Sequence, residues 1–393
     1  MIGRVLSEGF RVFFLSAASF GLLAGLAWTL YLARQWGGGD VGPLSYAMPP
    51  VQWHAHEMIF GYASAAIGGF FLTAVPNWTN APGAKRAFIT LVAGLWLLGR
   101  VAVWYSAFLP PPLVAVLDLA FVPVLAAKIL SQLLKRPKPQ NMMFLVFLTF
   151  LWIGNLLVHL EWLGLITDSA DAGLRMGLVT LVALISILGG RITPAFTRNA
   201  MNRDGMPESS WPQSFVLFDR AALILALLTP ILVGASAPVT VTGAALLAMG
   251  VVQLLRLMRW RGLWALKQPI LAALHVSLAM MGLGLIAWGL ALLGFGSEVA
   301  GLHLLGIGGV GGMTVAVMSR ATLGHAGRPL VAPGPVALGY GLIVLAALLR
   351  WLGSTLGDGW YEPTIMATGV LWVAVYALFL VSLWPALTGP RQK

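Results

Sequence analysis

Six histidines are the main metal-ligating side chains of this 393-residue chain, which contains no cysteine. Without thiolates, a bound metal must be held by imidazole, carboxylate, thioether or backbone groups. The histidines are His54, His56, His159, His275, His303 and His325. Each of them is a candidate metal ligand, provided that the fold brings it close to other ligating groups.

His54, His56 and Glu57 follow the pair Pro49-Pro50 and form the densest group of candidate ligands. Side chains two residues apart lie on the same side of an extended chain but on opposite sides of a helix. The two imidazoles can therefore share a metal only if His54 precedes the helix. Otherwise His54 and Glu57 share a face, and His56 has a different partner. We favour ligand roles here over interfacial hydrogen bonding, and Glu57 is our candidate catalytic residue, orienting an imidazole or relaying a proton.

His303 is followed by glycines at three-residue steps, Gly306, Gly309 and Gly312. Such a face leaves room either for a flat macrocycle against the backbone or for close packing of another helix. The sequence leaves both alternatives open. Because haem iron accepts axial histidine, His303 could face His54 or His56 across a haem.

Charged and polar side chains inside apolar segments form a further group of candidates. Arg100 and Asp118 can pair with each other, which is the simpler interpretation. Alternatively, Arg100 and Arg175 can hold carboxylates such as haem propionates. Asn155 and His159 are four residues apart and would share a helix face, so Asn155 could orient the imidazole.

The elements that must position these residues are membrane helices. The chain is 59% hydrophobic and 9% charged, with a mean hydropathy of +0.87, whereas soluble domains contain about 25% charged residues. This composition excludes secreted domains, cytosolic enzymes and disordered chains. The net charge of +11 does not indicate nucleic-acid binding, because the basic residues are distributed over short loops.

Apolar runs of about 20 residues, the length needed to cross a bilayer, recur along the whole sequence. They predict an all-α polytopic membrane protein, with residues 1–393 forming a single transmembrane domain. The predicted helices lie near 12–34, 53–76, 87–105, 108–134, 141–165, 172–195, 214–234, 238–258, 268–294, 297–319, 334–355 and 362–386.

Loop charges predict the orientation of these helices. Basic residues such as Lys85, Arg86 and Arg259 follow even-numbered helices, whereas acidic residues lie mostly on the opposite side. The positive-inside rule then places both termini in the cytoplasm. His275 and His325 fall on the inner side, where they are a second candidate metal site, and the other four histidines lie toward the outer leaflet.

Glycine pairs predict an internal repeat. Gly68-Gly69, Gly189-Gly190 and Gly311-Gly312 lie on helices 2, 6 and 10, and their first members are 121 and 122 residues apart (189 − 68 and 311 − 189). The spacing suggests three four-helix repeats, although such pairs also serve helix packing. This layout resembles the catalytic subunit of haem-copper oxidases, in which a haem lies between helices 2 and 10. The histidine pair that those enzymes place on helix 7 is missing, as is any histidine on helix 6, so the likeness supports the scaffold and the haem position but not the same binuclear centre.

Three strings resemble the NnrS family closely. They are WHAHEMIFGYASAAIGGFFLTAVPNWT at 53–79, GGRITPAFTRN at 189–199 and GGMTVAVMSRATLGHAGRPL at 311–330. The family comprises bacterial membrane proteins of the nitric oxide response, described as containing haem and copper. The resemblance implies that the following residues occupy its motif positions: His54, His56, Glu57, His275, His303, His325 and Arg328. His159 lies outside the three strings.

The resemblance and the residues together predict a haem-binding protein of the bacterial inner membrane that binds nitric oxide and reduces or detoxifies it. Haem b and copper are the expected cofactors. Quinol or a redox protein would donate electrons, the bilayer is the surrounding phase, and no nucleic acid is expected as partner. Whether the protein is an oxidoreductase stays open, because a haem-dependent sensor or a secondary transporter would also have twelve helices.

Overall fold

A computed structural model describes residues 1–39, 42 and 44–392, and this part of the chain contains helices and no strands. Twelve helices in this described part are long and apolar enough to cross a membrane, which confirms the all-α, twelve-helix prediction. They are α1 Gly9–Trp36, α2 Pro50–Thr79, α3 Arg86–Trp104, α4 Pro111–Leu133, α5 Pro139–Trp162, α6 Ala170–Arg203, α7 Val216–Gly234, α8 Val239–Met258, α9 Pro269–Leu292, α10 Glu298–His325, α11 Gly334–Gly353 and α12 Gly359–Thr388.

Proline begins several of these helices. Pro50, Pro111, Pro139 and Pro269 are the first residues of α2, α4, α5 and α9. The fixed φ of proline suits this position, where its missing N–H would have had no partner within the helix. At the other end of α2, Asn80 has a φ of 54°, a left-handed conformation that terminates helices. The residues at these positions therefore determine where the helices begin and where α2 ends.

Two helices run beyond their predicted ends at 195 and 319. α6 continues through Pro194 to Arg203, and α10 continues to His325. A proline inside a membrane helix removes one backbone hydrogen bond, which neighbouring groups can replace. α10 ends shortly before Gly327, which has a φ of +73°. His325 is therefore the last residue of α10, and its predicted position in the following loop is wrong.

Two of the helices change their winding directly after a candidate histidine. Residues Glu57–Ala63 of α2 and Leu304–Gly311 of α10 are π-helical, a rare conformation that often occurs at functional sites. In α2 the carbonyl of Gly61 accepts a hydrogen bond from Trp96 Nε1 at 2.9 Å.

The chain forms two compact units, which are described here one at a time. The first comprises the described residues of Met1–Leu178, Ala321–Arg328 and Leu380–Lys393, and the second comprises Val179–Arg320 and Pro329–Phe379. The first unit contains α1 to α5 and the beginning of α6. The second contains the rest of α6, all of α7, α8, α9 and α11, and most of α10 and α12.

The three glycine pairs all lie at close helix contacts. A Cβ atom added to Gly69 would stand 2.6 Å from the Phe14 ring, and one at Gly311 would stand 2.9 Å from the Trp372 ring. At Gly190 the added atom would be 2.9 Å from Cζ of Arg256. These glycines thus have a packing role, whereas the three repeats of four helices stay a prediction.

Candidate metal centre

A buried group of polar side chains lies in the first unit between α2, α3, α4 and α5. We call this group the polar cluster. Its members are His56 and Glu57 on α2, Arg100 on α3, Asp118 on α4, and Asn155 and His159 on α5. All six residues are at most 5% exposed. Such groups are costly to bury unless they satisfy one another. Hydrogen bonds and ion pairs link all six residues here, and Arg100 Nε has no partner among the described residues.

Asp118 joins most of the polar cluster. Its Oδ2 atom lies 2.8 Å from His159 Nε2 and 3.2 Å from His56 Nε2. Asn155 donates to the same oxygen at 2.8 Å through Nδ2. The other oxygen, Oδ1, accepts a hydrogen bond from Arg100 Nη2. Asn155 also presents its Oδ1 to His56 Nε2 at 2.8 Å, so it orients His56 and Asp118 rather than His159 alone.

Arg100 compensates the two carboxylates of the polar cluster. Its Nη1 donates to Glu57 Oε1, and its Nη2 donates to Asp118. Glu57 Oε1 also lies 2.9 Å from His56 Nδ1. With both imidazoles neutral, two carboxylates and one guanidinium leave a net charge of −1. A bound cation would reduce this imbalance, which in a low-dielectric interior is a large effect.

Three of these residues fit the coordination sphere of one metal ion. The ligating atoms of His56, Asp118 and His159 all lie within 4.8 Å of one another. Metal bonds of about 2.0–2.2 Å place neighbouring ligand atoms about 3 Å apart, close to the distances measured from Asp118 Oδ2. Glu57 lies behind His56 at Nδ1, and a carboxylate in this position typically fixes the orientation of a ligating imidazole.

Aromatic rings enclose the two imidazoles. The ring centroid of Trp162 lies 4.9 Å from that of His56 and 5.1 Å from that of His159. The ring centroid of Phe60 lies 5.2 Å from that of His56. Both histidines are at most 1% exposed. The geometry of the polar cluster fits a single ion.

His54 does not share a metal site with His56. It lies inside the helix Pro50–His56, so the alternative that required an extended His54 is wrong. Its imidazole stacks on Trp28 with the ring centroids 4.5 Å apart and the planes at 13°. A helix forms this early because Pro50 starts it. Any metal-ligand role of His54 must therefore be separate from the polar cluster.

The two candidate propionate partners both have carboxylate partners within the protein. Arg100 pairs with Asp118 and Glu57, which is the simpler of its two predicted arrangements. Arg175 Nη1 lies 3.3 Å from Asp171 Oδ2 at a more exposed position. A role for either arginine in holding haem propionates stays a prediction.

His303 lies in the second unit and has a defined tautomer. Its Nδ1 is 2.8 Å from the carbonyl oxygen of Val299. A carbonyl only accepts hydrogen bonds, so Nδ1 carries the proton and Nε2 is the ligating nitrogen. At Gly306 an added Cβ would have no other described side chain or helix within 4 Å, whereas at Gly309 it would stand 3.1 Å from Met281. Open space is thus present at Gly306 and helix packing at Gly309.

The two inner-side histidines lie in different units. His275, in the second, is 4% exposed, and its Nε2 lies 2.9 Å from Thr197 Oγ1. His325, in the first, is half-buried with its ring centroid 5.4 Å from that of Phe10. A shared site for these two histidines stays a prediction, as does an axial pairing of His303 with His54 or His56.

Sequence reasoning missed the ligand role available to Asp118 and undervalued His159. The signal was present, because Asp118 is the single acidic residue of α4. Asn155 and His159 form a polar strip on α5 at about the same predicted depth as Asp118 on α4. What the sequence lacked was the lateral order of the helices, which brings these two strips together with His56.

A family model described as NnrS protein matches residues 4–391 of the chain. The match extends the resemblance of the three motif strings to nearly the whole sequence. No curated protein matches the chain.

Proposed function

The chain belongs to the NnrS family, and from this we propose that it binds nitric oxide in the bacterial inner membrane and reduces or detoxifies it. Family membership supports a membrane protein of the nitric oxide response. The observation that carries the chemical part of the proposal is the polar cluster, in which His56, Asp118 and His159 form a possible metal site. We place both termini in the cytoplasm on the basis of the loop charges.

In this proposal the polar cluster holds copper. Imidazole suits copper as a ligand, and the bound ion would supply a coordination position for nitric oxide and one-electron chemistry. Arg100 keeps Asp118 and Glu57 in place without occupying Asp118 Oδ2. Glu57 Oε1 accepts a hydrogen bond from His56 Nδ1, which orients the imidazole. His56 Nε2, which now faces Asp118 Oδ2 and Asn155 Oδ1, is the nitrogen that would hold the ion. The same carboxylate can hold a proton next to the site.

His303 is the residue that we propose as axial ligand of haem b. Its Nδ1–H bond to the Val299 carbonyl is the kind of interaction that orients ligating histidines in metalloproteins. Gly306, one turn further along α10, adds no side chain that would block a macrocycle. Haem would provide a second nitric oxide binding position.

Reduction of two nitric oxide molecules to nitrous oxide and water consumes two electrons and two protons. We propose quinol or a redox protein as the electron donor. Within the chain, Glu57 is the buried carboxylate placed next to a candidate ligand, and it is our choice for delivering a proton. Without a donor, the same sites would bind nitric oxide and act as a sensor.

The metal assignment can be tested by metal content. We expect the purified protein to contain copper in addition to haem iron, and the His159→Ala variant to lose the copper while keeping the iron. Thr149→Val is the control, because the hydroxyl of this exposed residue of α5 donates to the Leu145 carbonyl of its own helix. Equal copper in wild type and His159→Ala would refute the copper site.

The haem assignment can be tested by optical absorption. We expect a Soret band that shifts on addition of nitric oxide, and loss of haem in His303→Ala. A colourless, iron-free wild-type protein would exclude haem binding, and full haem content in His303→Ala would exclude the axial role. Nitrous oxide formation by the reduced protein would identify an enzyme, whereas binding without nitrous oxide would identify a sensor.

A further inference from the structure

The connection between α8 and α9 in the second unit has a strongly exposed apolar side. Leu263 is 87% exposed, Met258 is 79% exposed and Leu266 is 55% exposed. Residues Gly262–Ala265 form a short helix that contains Leu263, whereas Met258 is the last residue of α8 and Leu266 follows the short helix. We call residues 258–267 the α8–α9 strap. The strap begins at Met258, the last residue of the candidate membrane span α8.

Basic side chains alternate with these apolar residues. Arg259, Arg261 and Lys267 are all exposed, and the α8–α9 strap contains no acidic residue. Basic residues interleaved with apolar ones are typical of segments that lie in the interface of a membrane with anionic lipids. The charge of the strap is therefore complementary to phosphate headgroups.

The opposite side of the α8–α9 strap is fixed to the protein. Trp260 is 1% exposed and Ala265 is fully buried. The guanidinium of Arg256 lies 5.1 Å from the centroid of the Trp260 ring. Arg259 is also held, since its Nη2 donates to Gln213 Oε1 at 3.1 Å. The strap is thus a two-sided segment with a packed inner side and an unpartnered outer side.

We propose that the α8–α9 strap docks onto an anionic phospholipid surface. Leu263 and Met258 insert among the acyl chains next to the headgroups, while Arg261 and Lys267 bind the phosphates. The same segment covers His275, because Gly262 lies against this ring: a Cβ at Gly262 would be 3.2 Å from His275 Nδ1. Docking would therefore hold the α8–α9 strap, including Gly262, against His275. The proposal does not depend on haem or copper.

The absence of cysteine from the sequence allows a direct test with one spin label. Leu263→Cys provides a unique labelling site, and the full-length variant is placed in nanodiscs of phosphatidylcholine with or without phosphatidylglycerol. Accessibility of the label to oxygen and to a water-soluble nickel chelate reports its depth. We expect a deeper label in the anionic nanodiscs. Phe295→Cys is the control, being 68% exposed between two glycines and without a basic neighbour, and its depth should not depend on lipid charge.

Removal of the charges provides the second arm of the test. Arg261→Gln and Lys267→Gln are introduced together into the Leu263→Cys protein. Each basic residue near an anionic membrane surface strengthens binding to that surface about fivefold. We therefore expect the label of the double-glutamine protein to need severalfold more phosphatidylglycerol for half-maximal immersion than the label of the parent Leu263→Cys protein. Equal label depth in neutral and anionic nanodiscs would overturn the proposal. Immersion that is unaffected by the two glutamine substitutions would overturn it as well.

Discussion

Asp118 uses its two oxygen atoms for different tasks. Oδ1 faces the guanidinium of Arg100, and Oδ2 faces the imidazoles of His56 and His159. Charge compensation and ligation therefore do not compete for one atom. An arginine is well suited to this arrangement, because its planar guanidinium presents several donors in a fixed geometry and can bridge two carboxylates.

We expect Arg100→Leu to destabilise the protein strongly. Glu57 and Asp118 would then face each other as buried carboxylates without a cation. Removing one partner from a buried ion pair costs about 3–5 kcal/mol. The thermal unfolding midpoint of the purified protein in detergent should fall accordingly, and added copper should recover part of the loss by supplying a cation.

Arg175→Leu is the matched control for this substitution. Arg175 also pairs with an aspartate, but both side chains are partly exposed, and such pairs contribute about 0–1 kcal/mol. We therefore expect a nearly unchanged midpoint. Equal destabilisation by the two leucine variants would contradict the assignment of Arg100 as the charge balance of the polar cluster.

Only part of the polar cluster could be predicted from the sequence. His56 and Glu57 were identifiable because they are neighbours in a dense local motif. His159 and Asp118 lie 41 residues apart, and their meeting depends on which helices are adjacent. A periodic apolar sequence does not encode this order in a local pattern. Whether His54 and His56 share a metal stayed open at the level of the sequence, because the answer depends on the first residue of the helix.

At the scale of helices, α6 approaches α8 closely because it presents glycine. Gly190 faces the guanidinium of Arg256, which donates to the carbonyl of Ser186 at 3.1 Å and to Asp219 at 2.9 Å. A larger residue at 190 would push the guanidinium away from both acceptors. The glycine thus allows a buried cation to bind to the backbone and side chains around it.

We expect Gly190→Ala to lower the stability by about 1–3 kcal/mol, the usual cost of overfilling a packed site. The control is Gly341→Ala in α11, where an added Cβ would have no other described side chain or helix within 4 Å. Alanine favours helices over glycine by up to about 1 kcal/mol, so this variant should be neutral or slightly more stable. Chemical denaturation in detergent measures both, and a stable Gly190→Ala protein would contradict the packing role.

Helix number and type were predictable, whereas several helix ends were not. The apolar runs identify all twelve spans, because length and hydropathy are sufficient signals in a bilayer. The extension of α6 to Arg203 was missed because a proline and several polar residues usually mark an end. Here the last part of α6 is nevertheless helical, with Thr197 Oγ1 bonded to the Thr193 carbonyl at 2.9 Å.

At the scale of the whole molecule, the scarce charges are distributed asymmetrically between the two sets of loops. We expect an alkaline phosphatase fused after Gly357, between α11 and α12, to be active, because this enzyme works only outside the cytoplasm. The same reporter fused after Gly327, between α10 and α11, should be inactive. The reverse pattern would place both termini outside and would refute the predicted orientation.

The π-helical segments have a consequence for comparing relatives of this chain. A π turn accommodates one residue more than the α turn that it replaces, and one residue corresponds to about 100° of rotation around a helix. Deleting a single amino acid between Glu57 and Ala63 would thus restore regular winding but turn His56 away from Asp118, relative to the part of α2 that follows. In a relative with a one-residue gap in this stretch, the histidine would still align with His56. Its side chain, however, would no longer lie at the polar cluster.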